Sequence, residues 1–188
     1  MDRQSAWELM CSWTESEPLR RHMLAVEAAM RAYARRFGED EEKWGITGLL
    51  HDLDYEKHPT PEEHPEVGVA ELERLGYPED VRRAILGHAD YLDVPRDTSL
   101  AKTLYAVDEL SGFILAVARM RPEGLENLPA KSVRKKMKQK SFASGVNRDD
   151  IVRGAEDLGV DLDEHIEFVA RALREREAEL GLVSGGRG

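Results

Sequence analysis

Apolar residues recur along this chain at helical spacing. Leu19, Met23, Val26, Met30, Tyr33 and Phe37 fall at alternating steps of four and three, which lays one apolar stripe along a helix that ends at Gly38. The same pattern predicts helices over Gln4 to Trp13, Asp40 to His51, Pro65 to Leu75, Glu79 to Ala89, Ser99 to Ala118, Arg148 to Leu158 and Asp161 to Leu180. No segment alternates apolar and polar positions between hairpin turns, so strands are not expected and the predicted fold class is all-α. The breaks are equally readable. Pro59, Pro61 and Pro65 forbid a continuous helix, Gly76-Tyr77-Pro78-Glu79 reads as an end followed by a new start, and Arg121-Pro122-Glu123-Gly124 closes the long sixth helix. Residues 184–188, Ser-Gly-Gly-Arg-Gly, are expected to form a flexible tail.

With 188 residues, 41% apolar and 6% aromatic, the chain can bury a sizeable core, and one domain over residues 1–183 is the simplest organisation. No apolar run approaches the roughly 20 residues that cross a bilayer. The start, Met1-Asp2-Arg3-Gln4-Ser5, lacks a signal-peptide pattern, so a cytoplasmic protein without membrane contact is expected. Cys11, the single cysteine, excludes an intrachain disulfide and reads as a small core or surface residue. Any metal site must then use histidine and carboxylate. Trp7, Trp13 and Trp44 are expected in the core.

The chemistry concentrates around His51-Asp52, which closes the apolar stretch Ile46-Thr47-Gly48-Leu49-Leu50. Burying an imidazole and a carboxylate together is costly without compensating charge or hydrogen bonds, and a divalent metal supplies both. The competing reading is a helix C-terminus with a favourable histidine and a solvated aspartate. His22 lies one position from the stripe residue Met23, as a ligand or as a hydrogen-bonded core histidine. Asp108 interrupts the apolar run around Leu104 and Val107 and needs a partner, either a metal or a buried salt bridge.

His22, then His51-Asp52, then Asp108 on a later helix of an all-α chain resembles the HD-domain superfamily of metal-dependent phosphohydrolases. The likeness runs from about Leu19 to Leu115, so residues 19–115 are expected to form the metal-site core and 127–183 a helical extension. The stretch Leu49-Leu50-His51-Asp52-Leu53-Asp54-Tyr55-Glu56 is similar to the HDIG-type group, with Leu53-Asp54 replacing the Ile-Gly that names it. The resemblance implies that His22, His51, Asp52 and Asp108 hold one metal and that Asp52 bridges to a second. His64 and His88 match the further histidines of two-metal members. Such a donor set favours Mn, Fe, Co, Ni or Zn, as one ion or two. A pair of ions about 3.5–4 Å apart activates water for attack on a phosphoester.

Residues around that set carry weaker expectations. Asp54 is a candidate to take a proton or orient a histidine, or else a solvated loop acid; Lys57 is a candidate phosphate contact and His58 a candidate acid, with surface exposure as the plainer reading for both. Asp90 is a candidate partner for a ligand, and His165, in an acidic amphipathic helix, is expected at the surface. Net charge is −10, which opposes nonspecific attraction to nucleic acid. Seven basic residues nevertheless fall between Asn127 and Arg148 without an acidic one. Lys131, Arg134, Lys135 and Lys138 within that run are either a solvated face or an electropositive rim that captures an anionic substrate such as a nucleotide. A nucleic-acid surface is the third and least favoured reading, since only Phe142 offers a stacking ring. The expected activity is phosphoester hydrolysis of a small phosphorylated substrate by a monomer or homodimer. The alternatives are a di-iron oxygenase of the same superfamily and a non-catalytic metal-containing regulatory module.

Overall fold

The computed structural model describes residues 2–182, and among them every regular element is a helix. In chain order these are α1 (Arg3–Trp13), α2 (Glu17–Phe37), α3 (Glu41–Leu50), α4 (Glu66–Arg74) and α5 (Glu79–Gly87), followed by α6 (Ser99–Arg119), α7 (Ala130–Met137), α8 (Arg148–Leu158) and α9 (Leu162–Arg174). Side chains fix most of the starts. Asp2, Ser16, Asp40, Thr98, Asn147 and Asp161 each accept a bond from an otherwise orphaned amide in the first turn. The last helix stops at Arg174, short of the expected Leu180, because tighter turns return Leu180 and Leu182 to the core. The expected tail, residues 184–188, lies outside the described residues.

Two long helices, α2 and α6, form the centre of the molecule. Met23, Val26, Met30 and Tyr33 of α2 and Leu104, Val107, Leu110 and Phe113 of α6 are fully buried. Trp44 joins them as expected, whereas Trp7 and Trp13 pack only half-buried against the core. Two glycines allow the helices to approach the site closely. A Cβ on Gly48 would lie 3.0 Å from the backbone of Glu27, so α3 can rest directly on α2 and carry its last residues toward His22. A Cβ on Gly154 would lie 2.6 Å from the Cα of Ala106, which brings α8 against α6. Glu27 is buried within α2 and held by Arg3 at 2.6 Å and Arg31 at 2.8 Å, tying α1 to the central pair. No helix is long and apolar enough to cross a membrane, among the described residues.

His165 overturns its expectation. It is fully buried on α9, where Tyr33 donates its hydroxyl to Nδ1 at 2.6 Å and Nε2–H donates to the Ala106 carbonyl at 2.9 Å. In sequence it sits in an acidic amphipathic helix; the partners that make burial tolerable come from α2 and α6, remote in the chain. Burial pushes its pKa down to about 4, against the opposing bond to Ala106. The folded chain therefore holds His165 neutral while the unfolded chain titrates near 6.5. Stability from this group is complete above about pH 6.5 and is lost progressively as pH falls toward 4, by about 1.4 kcal/mol per pH unit. Urea unfolding at pH 7 and pH 5 should show a smaller acid-side loss in His165→Gln than in wild type, and equal losses would exclude this coupling.

Candidate metal centre

Six side chains from separate parts of the fold converge where the ends of α3 and α5 and the start of α4 meet the second turn of α2 and the middle of α6. His22 comes from α2, His51 caps α3, Asp52 follows it, and Asp108 comes from α6. His64 precedes α4 and His88 caps α5. They form two donor groups, His22 with His51 and Asp108, and Asp52 with His64 and His88, each able to hold a metal ion. In the first group His22 Nε2 lies 3.0 Å from Asp108 Oδ1 and 3.2 Å from His51 Nε2. In the second His64 Nε2 lies 3.3 Å from His88 Nε2.

Asp52 faces both groups with different oxygens. Its Oδ2 is 3.6 Å from His22 Nε2 and 3.4 Å from His51 Nε2, while Oδ1 is 3.5 Å from His64 Nε2 and 3.6 Å from His88 Nε2. Metal–donor bonds of about 2.1 Å put neighbouring donors about 3.0 Å apart in an octahedron and about 3.4 Å apart in a tetrahedron. The observed separations match those edges.

The remaining ring nitrogens fix which atoms face inward. His51 Nδ1–H donates to the Gly48 carbonyl at 2.8 Å, His88 Nδ1–H to the Ile85 carbonyl, and His64 Nδ1–H to Asp54 Oδ1 at 2.7 Å. Each neutral ring then presents a bare Nε2 to the centre. Two such lone pairs 3.3 Å apart, on His64 and His88, require a cation between them, a proton or a metal ion. The electrostatics agree. Burial lowers the pKa of His88, but its bond to Asp52 and the charges of Asp108 and Asp52 outweigh it and push the ring up to about 9. Burial likewise opposes ionisation of Asp52 and Asp108, yet the neighbouring histidines, His51 first, hold both carboxyls well below the usual range. This pocket retains positive charge strongly, and a divalent ion in each donor group would meet that demand.

Comparison with known proteins agrees with this geometry. The HD domain family matches residues 19–112, half of the chain. The chain belongs to the HD-domain family. Its similarity to curated proteins includes Ribonuclease Y of Oleidesulfovibrio alaskensis, 32% identical over 113 residues, and Ribonuclease Y of Nitratidesulfovibrio vulgaris, 33% identical over 113 residues. The match takes in 60% of this chain and 21% of each relative, so the chain spans about a fifth of the length of the curated relatives it matches. No solved structure matches. HD-domain proteins bind divalent metals, and the two donor groups here could hold such ions.

The centre opens into a cleft of about 680 Å³. Tyr55, Tyr91 and Tyr105 supply aromatic walls, and Arg153 is the one arginine or lysine among the residues lining it. Asn147, Asp150 and Arg153 belong to the segment beyond the family match, brought in where Gly154 lets α8 lie on α6. Sequence reasoning missed this wall, and also Glu109, which lines the cleft beside Asp108. Burial and the charge of Asp108 push Glu109 up to about 7.

The structure distributes the remaining candidates differently. Asp54 is fully buried behind His64 rather than solvated. Lys57 reaches the Ser12 carbonyl at 3.3 Å and lies over Trp13, and His58 pairs with Glu63 at 3.1 Å; neither lines the cleft. Lys131, Arg134, Lys135 and Lys138 do not line it either, and Arg134 pairs with Asp163 of α9 at 3.0 Å. Asp90 does line it, held by Arg96, Arg153 and the Tyr105 hydroxyl rather than by a histidine of the centre.

Proposed function

We propose that this chain is a metal-dependent phosphohydrolase acting on a small phosphorylated substrate such as a nucleotide. The observation that carries the reading is Asp52, whose two oxygens are divided between two histidine groups at matched distances. His22, His51, Asp108 and Asp52 Oδ2 would hold one ion, and His64, His88 and Asp52 Oδ1 a second. When bound, such ions supply an activated water at neutral pH and a clamp for phosphoryl oxygens. The chain's own residues do the rest. Asp54 keeps the His64 ring turned so that Nε2 points inward, and the Tyr91 hydroxyl, donating to the His64 carbonyl at 2.6 Å, braces the same residue from the cleft side. A cleft of about 680 Å³ walled by three tyrosines suits a ligand of nucleotide size.

The names of the Ribonuclease Y relatives raise RNA as a substrate. Away from the metal donors the cleft offers a long polyanion little purchase, because its one arginine, Arg153, is already paired with Asp90 and Asp150, and this favours a smaller ligand held at the metal centre. An oxygenase reading uses the same donors and differs in requiring iron. Elemental mass spectrometry on protein purified without chelator or metal-affinity resin, joined to phosphate release from nucleoside monophosphates and to strand cleavage of an RNA oligomer, tests all three. We expect about two ions per chain, falling to about one in His64→Ala, with phosphate release from the small esters. Bound iron with oxygen consumption and no phosphate release would replace the hydrolase by the oxygenase. Turnover of the oligomer alone would replace the small substrate by RNA.

A further inference from the structure

Away from the metal centre, α2 and α9 enclose a groove of about 390 Å³ whose floor is Ala32 and Ala172 and whose wall is the ring of Phe168. Three guanidinium groups and the Glu175 carboxylate rim it. Arg35 is neutralised by Glu41 at 2.7 Å and Glu175 at 3.2 Å. Arg36 and Arg171 have no carboxylate within 4.0 Å among the described residues, and both lie over Phe168, at 5.2 Å and 5.9 Å from the ring centre. Arg36 also lies 5.9 Å from the ring of Tyr33.

The chain has 37 acidic residues against 27 Lys and Arg, so unpaired arginines sharing one ring do not reflect a shortage of acids. Their positions in the last turns of α2 and α9 favour positive charge at each helix end. That explains why each is basic, not why both lie over the same small concavity. Planar guanidinium groups there suit bidentate contact with phosphate oxygens, and the ring with its alanine floor suits an apolar or planar portion of the same ligand. We propose that this groove is a second anion site, which binds a small phosphate-bearing molecule separately from the metal centre. The volume falls in the range of small-ligand pockets, and the concave floor disfavours a flat membrane surface.

The proposal is independent of the phosphohydrolase reading and is tested by calorimetric titration with inorganic pyrophosphate at low salt, without added divalent metal. Three chains are compared: wild type, Arg36→Glu with Arg171→Glu, and Asp52→Asn. Wild type and Asp52→Asn should bind pyrophosphate alike, while the double variant should bind about tenfold more weakly or worse. Both arginines are exposed, so the far-UV spectrum should not change. If charge reversal unfolds the chain, Arg36→Gln with Arg171→Gln carries the same comparison. Binding lost in Asp52→Asn but kept in the arginine variant would place the anion at the metal centre and overturn the proposal, as would absence of binding in wild type.

Discussion

Asp52→Ala is expected to lose both metal ions and phosphohydrolase activity together, with the helical fold retained. Every other donor serves one group, but Asp52 offers Oδ2 to the first and Oδ1 to the second. Loss of a residue that merely orients a ligand already costs about 10–100-fold in metal affinity or activity, so loss of a shared ligand should cost at least about 100-fold. The backbone does not depend on this side chain. The Asp52 carbonyl accepts the Tyr55 amide at 3.1 Å in wild type, and alanine keeps that bond. Elemental analysis, initial rates and far-UV circular dichroism on the same preparation check the result. Full activity in the variant would remove the site assignment, and an unfolded spectrum would show that the carboxylate is structural first.

His22, His51, Asp52 and Asp108 are legible in sequence because each is an ionisable residue set in or beside an apolar helix, where an uncompensated charge is costly, whereas His64 and His88 enter through the resemblance to two-metal members of the HD-domain superfamily. Helical periodicity located those helices, and the structure brings all six together. What was not legible depends on partners far away in the chain. His165 looked like a surface residue of an acidic helix, yet Tyr33 and the Ala106 carbonyl satisfy both of its nitrogens inside the core. The cleft wall of Asn147, Asp150 and Arg153 depends on the close approach of Gly154 to Ala106, which a helical stripe does not encode. The basic run is the converse case. Its composition is conspicuous, but composition carries no direction, and its cations do not line the cleft. Asp54 lies between these extremes. A loop acid two residues from a ligand reads equally as solvated or as buried, and only the position of His64 and α4 decides.

That burial makes Asp54→Asn the sharpest probe of the second ion. Asp54 Oδ1 accepts His64 Nδ1–H at 2.7 Å, Oδ2 accepts the Gly68 amide at 2.6 Å, and the side chain is fully buried. The packing leaves no slack, since a Cβ on Gly68 would sit 3.0 Å from the Asp54 carboxyl carbon. Asparagine keeps the shape but offers one acceptor. Whichever way its amide turns, an NH₂ faces either the His64 ring or the Gly68 amide, donor against donor, and the other bond loses its charge. A buried donor left without a partner costs about 1–3 kcal/mol, so the variant should unfold at lower urea with an unchanged slope. The loss should also be local in its effect on metal. With His64 no longer held by a carboxylate, affinity for the second ion should fall by about 10–100-fold, while the ion among His22, His51 and Asp108 stays. Metal titration resolves the two steps. Equal weakening of both ions would make Asp54 a general support of the fold, and wild-type affinity for the second would show that His64 needs no carboxylate behind it.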